Sequence, residues 1–187
     1  MTDAQHILEI PVPGLVVLVG AAGAGKSTLA ARLFAPAEIL SSDDLRAALS
    51  GDAADQRATR LAFGILHREV RSRLAAGRLV VVDATNAEPR ARLELRRIAA
   101  AAAVPAIAIA IVAPPAEVHA RNAARAGRVV PAEIVDRHLT RLASLGSEPA
   151  AIAAALLEEG FVAARVIDGR LGGSDIVVRR VLRRDPA

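Results

Sequence analysis

Three stretches of this chain are apolar at consecutive positions and too short for a helix to bury. They are Leu15-Val16-Val17-Leu18-Val19, then Leu79-Val80-Val81-Val82 with Asp83 at its carboxyl end, and Ala106 to Val112, which Pro105 opens. Such runs predict strands covered on both faces. Shorter signals predict strands over Ala37 to Ser42 and Phe161 to Ile167. Asp168-Gly169 and Gly172-Gly173 mark a turn before Ile176 to Leu182, read as an edge hairpin strand. Residues 1 to 13, ending in Pro11-Val12-Pro13, read as a stiff lead-in to the first strand.

Between the strands the period changes to that of a helix. Positions 58, 61, 62, 65, 66, 70 and 74 form one apolar stripe on a long helix that ends at Ala76, with Gly77 as its terminator. Arg57, Arg60, Arg68 and Arg71 fall on the opposite face. Further helices are predicted over Thr28 to Phe34, Asp44 to Ser50, Glu88 to Ala102, Pro131 to Leu145 and Ala150 to Glu159. Another starts at Pro114-Pro115 and stops near Gly127. Strands alternating with helices imply a parallel sheet covered on both sides. The expected fold class is therefore α/β: a three-layer α/β/α sandwich with a central parallel sheet. One domain is expected over residues 1–187, with its core at 14–168 and an edge strand and tail at 169–187.

Composition narrows this picture. The 187 residues are 53% apolar, but include three phenylalanines and neither tryptophan nor tyrosine, so the core is aliphatic. Nucleic-acid contacts cannot lean on Trp or Tyr stacking. Zero cysteines exclude disulfides and thiolate metal sites. The net charge of +4 agrees with a polyanionic partner, although arginine enrichment throughout the chain accounts for it equally. Ile98 to Ala116 has membrane-span length but is broken by Pro105, Pro114 and Pro115, and the N-terminus has no basic start. A soluble cytoplasmic protein without membrane partners is expected.

The candidate chemistry begins after the first strand. Gly20, Ala21, Ala22, Gly23, Ala24, Gly25, Lys26 and Ser27 match G-x-x-x-x-G-K-[ST], with Thr28 opening the helix. Glycines let backbone N–H groups curl around phosphate oxygens, and the helix start adds its positive end. Lys26 is placed for the β and γ phosphates, and Ser27 for Mg²⁺. Lys26 is also the only lysine among 24 lysine and arginine residues, kept where a planar guanidinium does not fit the cup. ATP or GTP binding follows, and the expected α/β/α sandwich becomes a P-loop fold with a small helical lid.

Three further groups stand out, the first two at expected strand ends and the third on the helix that stops near Gly127. Asp83 closes an apolar strand as a Mg²⁺-holding acid does, or caps the turn at Thr85-Asn86. Asp43 precedes Arg46 by one helical turn: the carboxylate suits proton acceptance from a hydroxyl and the guanidinium an anionic group. Alternatively Asp43 or Asp44 is the N-cap of a short helix. Arg121 and Arg125, at i and i+4 with Arg128 just beyond, suit closure over phosphates or form a solvated face. The four histidines show no ligand spacing and read as structural or surface residues.

These blocks together resemble the kinase module of bacterial polynucleotide 5′-kinases, as found in end-healing RNA-repair enzymes. These are P-loop phosphotransferases akin to AAA-family ATPases. The resemblance runs from about Leu15 to Phe161. It covers the phosphate loop, Ser41-Ser42-Asp43 with Arg46, Asp55-Gln56, Val81-Val82-Asp83-Ala84-Thr85-Asn86, Arg121-Asn122 with Arg125, and Glu159-Gly160-Phe161. It implies ATP and Mg²⁺ as cofactors and a 5′-hydroxyl polynucleotide end as acceptor. It further implies Asp43 as general base, Arg46 on the adjacent phosphate, and Arg121 and Arg125 as lid on the nucleotide. Two other classes stay open: a small-molecule kinase acting on a sugar, antibiotic or nucleoside, and a nucleotide-dependent switch. Only the switch makes Asp43 dispensable.

Overall fold

The computed structural model describes residues 6–49, 56–125, 129–170 and 176–182. Residues 51–55, which include Asp55, and Gly127, Arg128, Gly172 and Gly173 lie outside the described residues, as does the Arg57 side chain.

Five parallel strands form the central sheet: β2 (Gly14–Val19), β3 (Ile39–Ser41), β4 (Leu79–Asp83), β5 (Ala106–Val112) and β6 (Ala163–Asp168). Their order is β3-β4-β2-β5-β6, with β2 at the centre. Side chains alternate between two faces because successive Cβ atoms point oppositely. Leu15, Val17 and Val19 of β2 join Val80, Val82, Ala106, Ala108 and Ala110 on one face. That face is covered by Leu66, Val70 and Leu74 of α3 (Gln56–Ala75), Leu95 and Ile98 of α4 (Pro89–Ala101), and Ile152 and Leu156 of α7 (Pro149–Glu158). Val16, Leu18, Val81, Ile107, Ile109 and Ile111 point the other way, onto Leu29, Ala30 and Phe34, which α1 (Lys26–Leu33) and its C-cap carry. The expected parallel sheet between helices is present.

Two expectations change. The lead-in is itself a strand, β1 (His6–Val12), and it pairs in parallel with β7 (Ile176–Leu182) to form a separate two-stranded sheet. So β7 is not a hairpin strand on the main sheet. Leu8, Ile10, Ile176 and Val178 bring this ribbon onto the α1 face, completing a layer that one helix leaves partly open. A short pair without a hydrophobic seat is marginal in water, so the strand signal at Ile176 to Leu182 does not by itself reveal its partner. On α3, Leu61 of the expected buried stripe is 61% exposed, and Ala62, Leu66, Val70 and Leu74 are buried.

The remaining helices are α2 (Ser42–Leu49), α5 (Pro115–Ala123) and α6 (Ala132–Ala143). Val118 of α5 and Val135 of α6 pack with Val130 on Ala21 and Ala22, so this helix pair sits on the loop after β2. Among the described residues no helix is long and apolar enough to cross a membrane.

Candidate active site

The loop between β2 and α1 has the backbone its glycines require. Gly23 and Gly25 lie at φ +90° and +106°, where a Cβ is strained. Space is also lacking: a Cβ on Gly23 would stand 2.3 Å from the Val118 carbonyl oxygen, and one on Gly20 would stand 2.7 Å from that of Ile111. The Gly20 N–H donates to the Thr85 carbonyl at 3.0 Å, tying the loop to the end of β4. Gly25 caps α1 without a side-chain acceptor, which leaves first-turn N–H groups for a ligand.

Lys26 is buried in this loop. Its ammonium donates to the carbonyls of Gly20 at 2.9 Å and Ala21 at 2.8 Å. Burial draws its pKa from 10.5 to about 8, against the raising effect of the Asp83 carboxylate and with a further lowering from Arg125. Asp83 is the last residue of β4 and is buried, opposite Ser41 of β3 in the strand register.

The turn after Asp83 is held from behind. Asn86, at φ +45°, donates its side-chain amide to the Leu18 carbonyl at 2.7 Å. Arg92 of α4 is 1% exposed. It donates to the carbonyls of Asn86 at 2.9 Å and Ala87 at 2.8 Å, and pairs with Glu159 just past α7. No local pattern announces that pair, whose partners lie 67 positions apart.

Ser41, rather than Asp43 or Asp44, supplies the cap of α2: its hydroxyl accepts the Asp44 N–H at 3.2 Å. Both acids therefore lie in the first turn. One Asp43 oxygen pairs with Arg46, and the other is 3.5 Å from Arg125. Arg121 donates to the Gly169 carbonyl at 3.0 Å and to Glu117 at 2.9 Å. Arg121 and Arg125 do not share a helix face as expected: α5 ends at Ala123, so Arg125 lies beyond it and turns towards Asp43. Asn122 clasps Val130, donating to its carbonyl at 2.7 Å and accepting its N–H at 3.2 Å. Arg128, expected to bind nucleotide, lies outside the described residues.

One cavity of about 480 Å³ collects most of these groups. Ala22, Gly23, Gly25, Lys26, Ser27 and Thr28 line it from the loop and α1. Asp43, Arg46, Asp83, Arg121 and Arg125 line it from the other elements; Asp44 does not. Gly20, Ala21 and Ala24 stay behind the surface, the first two as acceptors for Lys26. Four cations thus face two carboxylates, which suits a polyanion. A smaller cavity of about 220 Å³ shares Gly25, Thr28 and Arg121 and continues to Leu29, Ile111, Ile167, Asp168 and Gly169.

The sequence reading missed Phe63, Ile134 and His138, which also line the larger cavity. Phe63 carried one available signal, being one of only three aromatic rings in the chain apart from histidine. Among the described residues no cluster of three or more His, Cys, Asp or Glu side chains forms a metal cage. The Ser27 hydroxyl and the Asp83 carboxylate are hard oxygen donors of the kind Mg²⁺ takes alongside phosphate oxygens, so the donor set fits that ion.

The family model described as an AAA domain matches residues 15–145. A sugar kinase structure from Janibacter sp. HTCC2649 superposes with a TM-score of 0.54 at 19% identity, covering 84% of this chain and 86% of that one. A chain of the Pnkp1/Rnl/Hen1 RNA repair complex gives a TM-score of 0.61 at 22% identity, covering 72% of this chain and 45% of that one. This chain therefore spans under half of that second relative. At such identities the likeness is one of fold. No curated protein matches the sequence.

Proposed function

This chain belongs to the AAA domain family, and from that premise we propose that it is an ATP-dependent kinase of the 5′-hydroxyl ends of polynucleotides. The observation that carries this reading is the position of Asp43. Its carboxylate lies between Arg46 and Arg125 in the same cavity as the phosphate loop.

In the proposed reaction the nucleotide phosphates fill the cup of Gly23 to Thr28. Lys26 leaves its two loop carbonyls for the phosphate oxygens, and Arg121 and Arg125 neutralise charge that develops on them. Asp43 accepts the proton of the acceptor hydroxyl as its oxygen attacks the γ phosphorus. The bond from that phosphorus to the bridging oxygen breaks, ADP leaves, and Asp43 then returns the proton to water. Ser27 and Asp83 would hold Mg²⁺, which when bound draws charge from the phosphates. Arg46, freed from Asp43, would hold the anionic group next to the acceptor hydroxyl. A 5′-hydroxyl nucleotide has such a group, its own 3′-phosphate; a neutral sugar has none.

Transfer from γ-labelled ATP to a panel of acceptors tests this. A 5′-hydroxyl oligonucleotide is expected to be labelled, and a nucleoside 3′-monophosphate to serve better than the bare nucleoside. Arg46→Ala should shrink that preference by the loss of one charge-assisted contact, about 1.5–3 kcal/mol. Equal labelling of sugars or bare nucleosides, with no effect of Arg46→Ala, replaces this reading with a small-molecule kinase.

A further inference from the structure

Phe34 and Phe161 are 4% and 3% exposed and belong to the core. Phe63 is the remaining aromatic ring apart from histidine, and it is half-buried on α3, lining the larger cavity. One helical turn on, the His67 ring stands 6.4 Å from it, tilted by 53°. From α6, the half-buried Ile134 and His138 line the same cavity, with Val130 beside them. None of these residues lines the smaller cavity towards Gly169. They share their cavity with Asp43 and Arg46 instead.

We propose that Phe63, Ile134 and His138 form a subsite for the planar base of the acceptor's terminal nucleoside, an inference that rests on the polynucleotide kinase reading. The chemistry of the wall favours a ring. Phe63, Val130 and Ile134 present only carbon, whereas each hydroxyl of a polyol needs a polar partner once its water is removed. A base has a π face that stacks on phenyl or imidazole whatever its identity. The acceptor is then selected twice, by a charge at Arg46 and by a flat apolar face at Phe63. Base identity matters little, and the presence of a base matters much.

Two oligonucleotides test this: one with an ordinary 5′-hydroxyl nucleotide, and the same strand with an abasic 5′-terminal residue. With ATP and Mg²⁺, the parent protein should favour the base-bearing end roughly tenfold or more in kcat/KM, carried mainly by KM. The four bases should fall within a few fold of one another. Phe63→Leu, which keeps the packing on the core, and His138→Ala should each shrink the preference, and Phe63→Tyr should restore it. ATP affinity, measured by calorimetry on each variant, reports whether the fold survives. Equal rates on intact and abasic ends overturn the subsite and leave the kinase reading standing. So does a preference that neither Phe63→Leu nor His138→Ala alters. Labelling of neither strand overturns the acceptor reading itself, and the subsite with it.

Discussion

Lys26 combines a fixed charge requirement with a site that disfavours charge. Its pKa of about 8 in the nucleotide-free protein has a calculable consequence. Below pH 8 the ammonium is already present for phosphate. Above it, binding must draw a proton, so the ATP dissociation constant should rise by up to tenfold per pH unit. Calorimetry in buffers of different ionisation heat should detect proton uptake above pH 8, absent in Lys26→Arg. The sign for folding is opposite. The unfolded chain keeps this proton up to 10.5, so the penalty Lys26 places on stability is full below pH 8 and fades as pH rises to 10.5. Lys26→Ala should abolish transfer and Lys26→Arg nearly so. Asp43→Asn should hold ATP affinity within a few fold while transfer falls about 100-fold, the scale of a lost general base. Asp44, off the cavity, should tolerate the same change in a rate assay.

The elements around the cavity are held by buried polar links that carry no sequence period. Arg92 joins α4, the turn after β4 and the end of α7 through one guanidinium. Arg92→Met strands the Glu159 carboxylate and two carbonyls, and should cost about 3 kcal/mol, read as a lower melting temperature. Adding Glu159→Met should recover part of that loss, because an apolar pair replaces a lone half-buried charge. Gly23→Ala belongs to the same scale. Its Cβ meets the Val118 carbonyl of α5 at 2.3 Å and its φ is +90°, so the loop and its covering helix must separate. Loss of ATP binding by calorimetry is the expected outcome.

Across the molecule, the two faces of the sheet are closed by different means. Three helices cover one face; α1 and the β1–β7 ribbon cover the other. The ribbon joins positions about 170 residues apart, as in the paired His6 and Ile176, and it packs against the helix that carries the phosphate loop's end. Ile10 is fully buried there. Ile10→Ala should destabilise the protein by about 2–5 kcal/mol in denaturant unfolding. ATP at a hundred times its dissociation constant should offset about 2.7 kcal/mol of such losses, provided the site binds only the folded chain.

The sheet, its helices and the phosphate loop were legible because their signals are local. A run such as Leu79 to Val82 is apolar at every position only when both faces are covered, and Gly20 to Ser27 carries its geometry in its spacing. Asp43, Arg46, Asp83, Arg121 and Arg125 were legible as residues, and the cavity does bring them together. Their mutual arrangement was not, since Arg125 reaches Asp43 over 82 positions by leaving its helix rather than by sharing a face with Arg121. The β1–β7 pair, the Arg92–Glu159 link and the wall of Phe63, Ile134 and His138 were also out of reach. Each depends on which distant segments meet, and a pairing across the chain leaves no periodic mark in either partner.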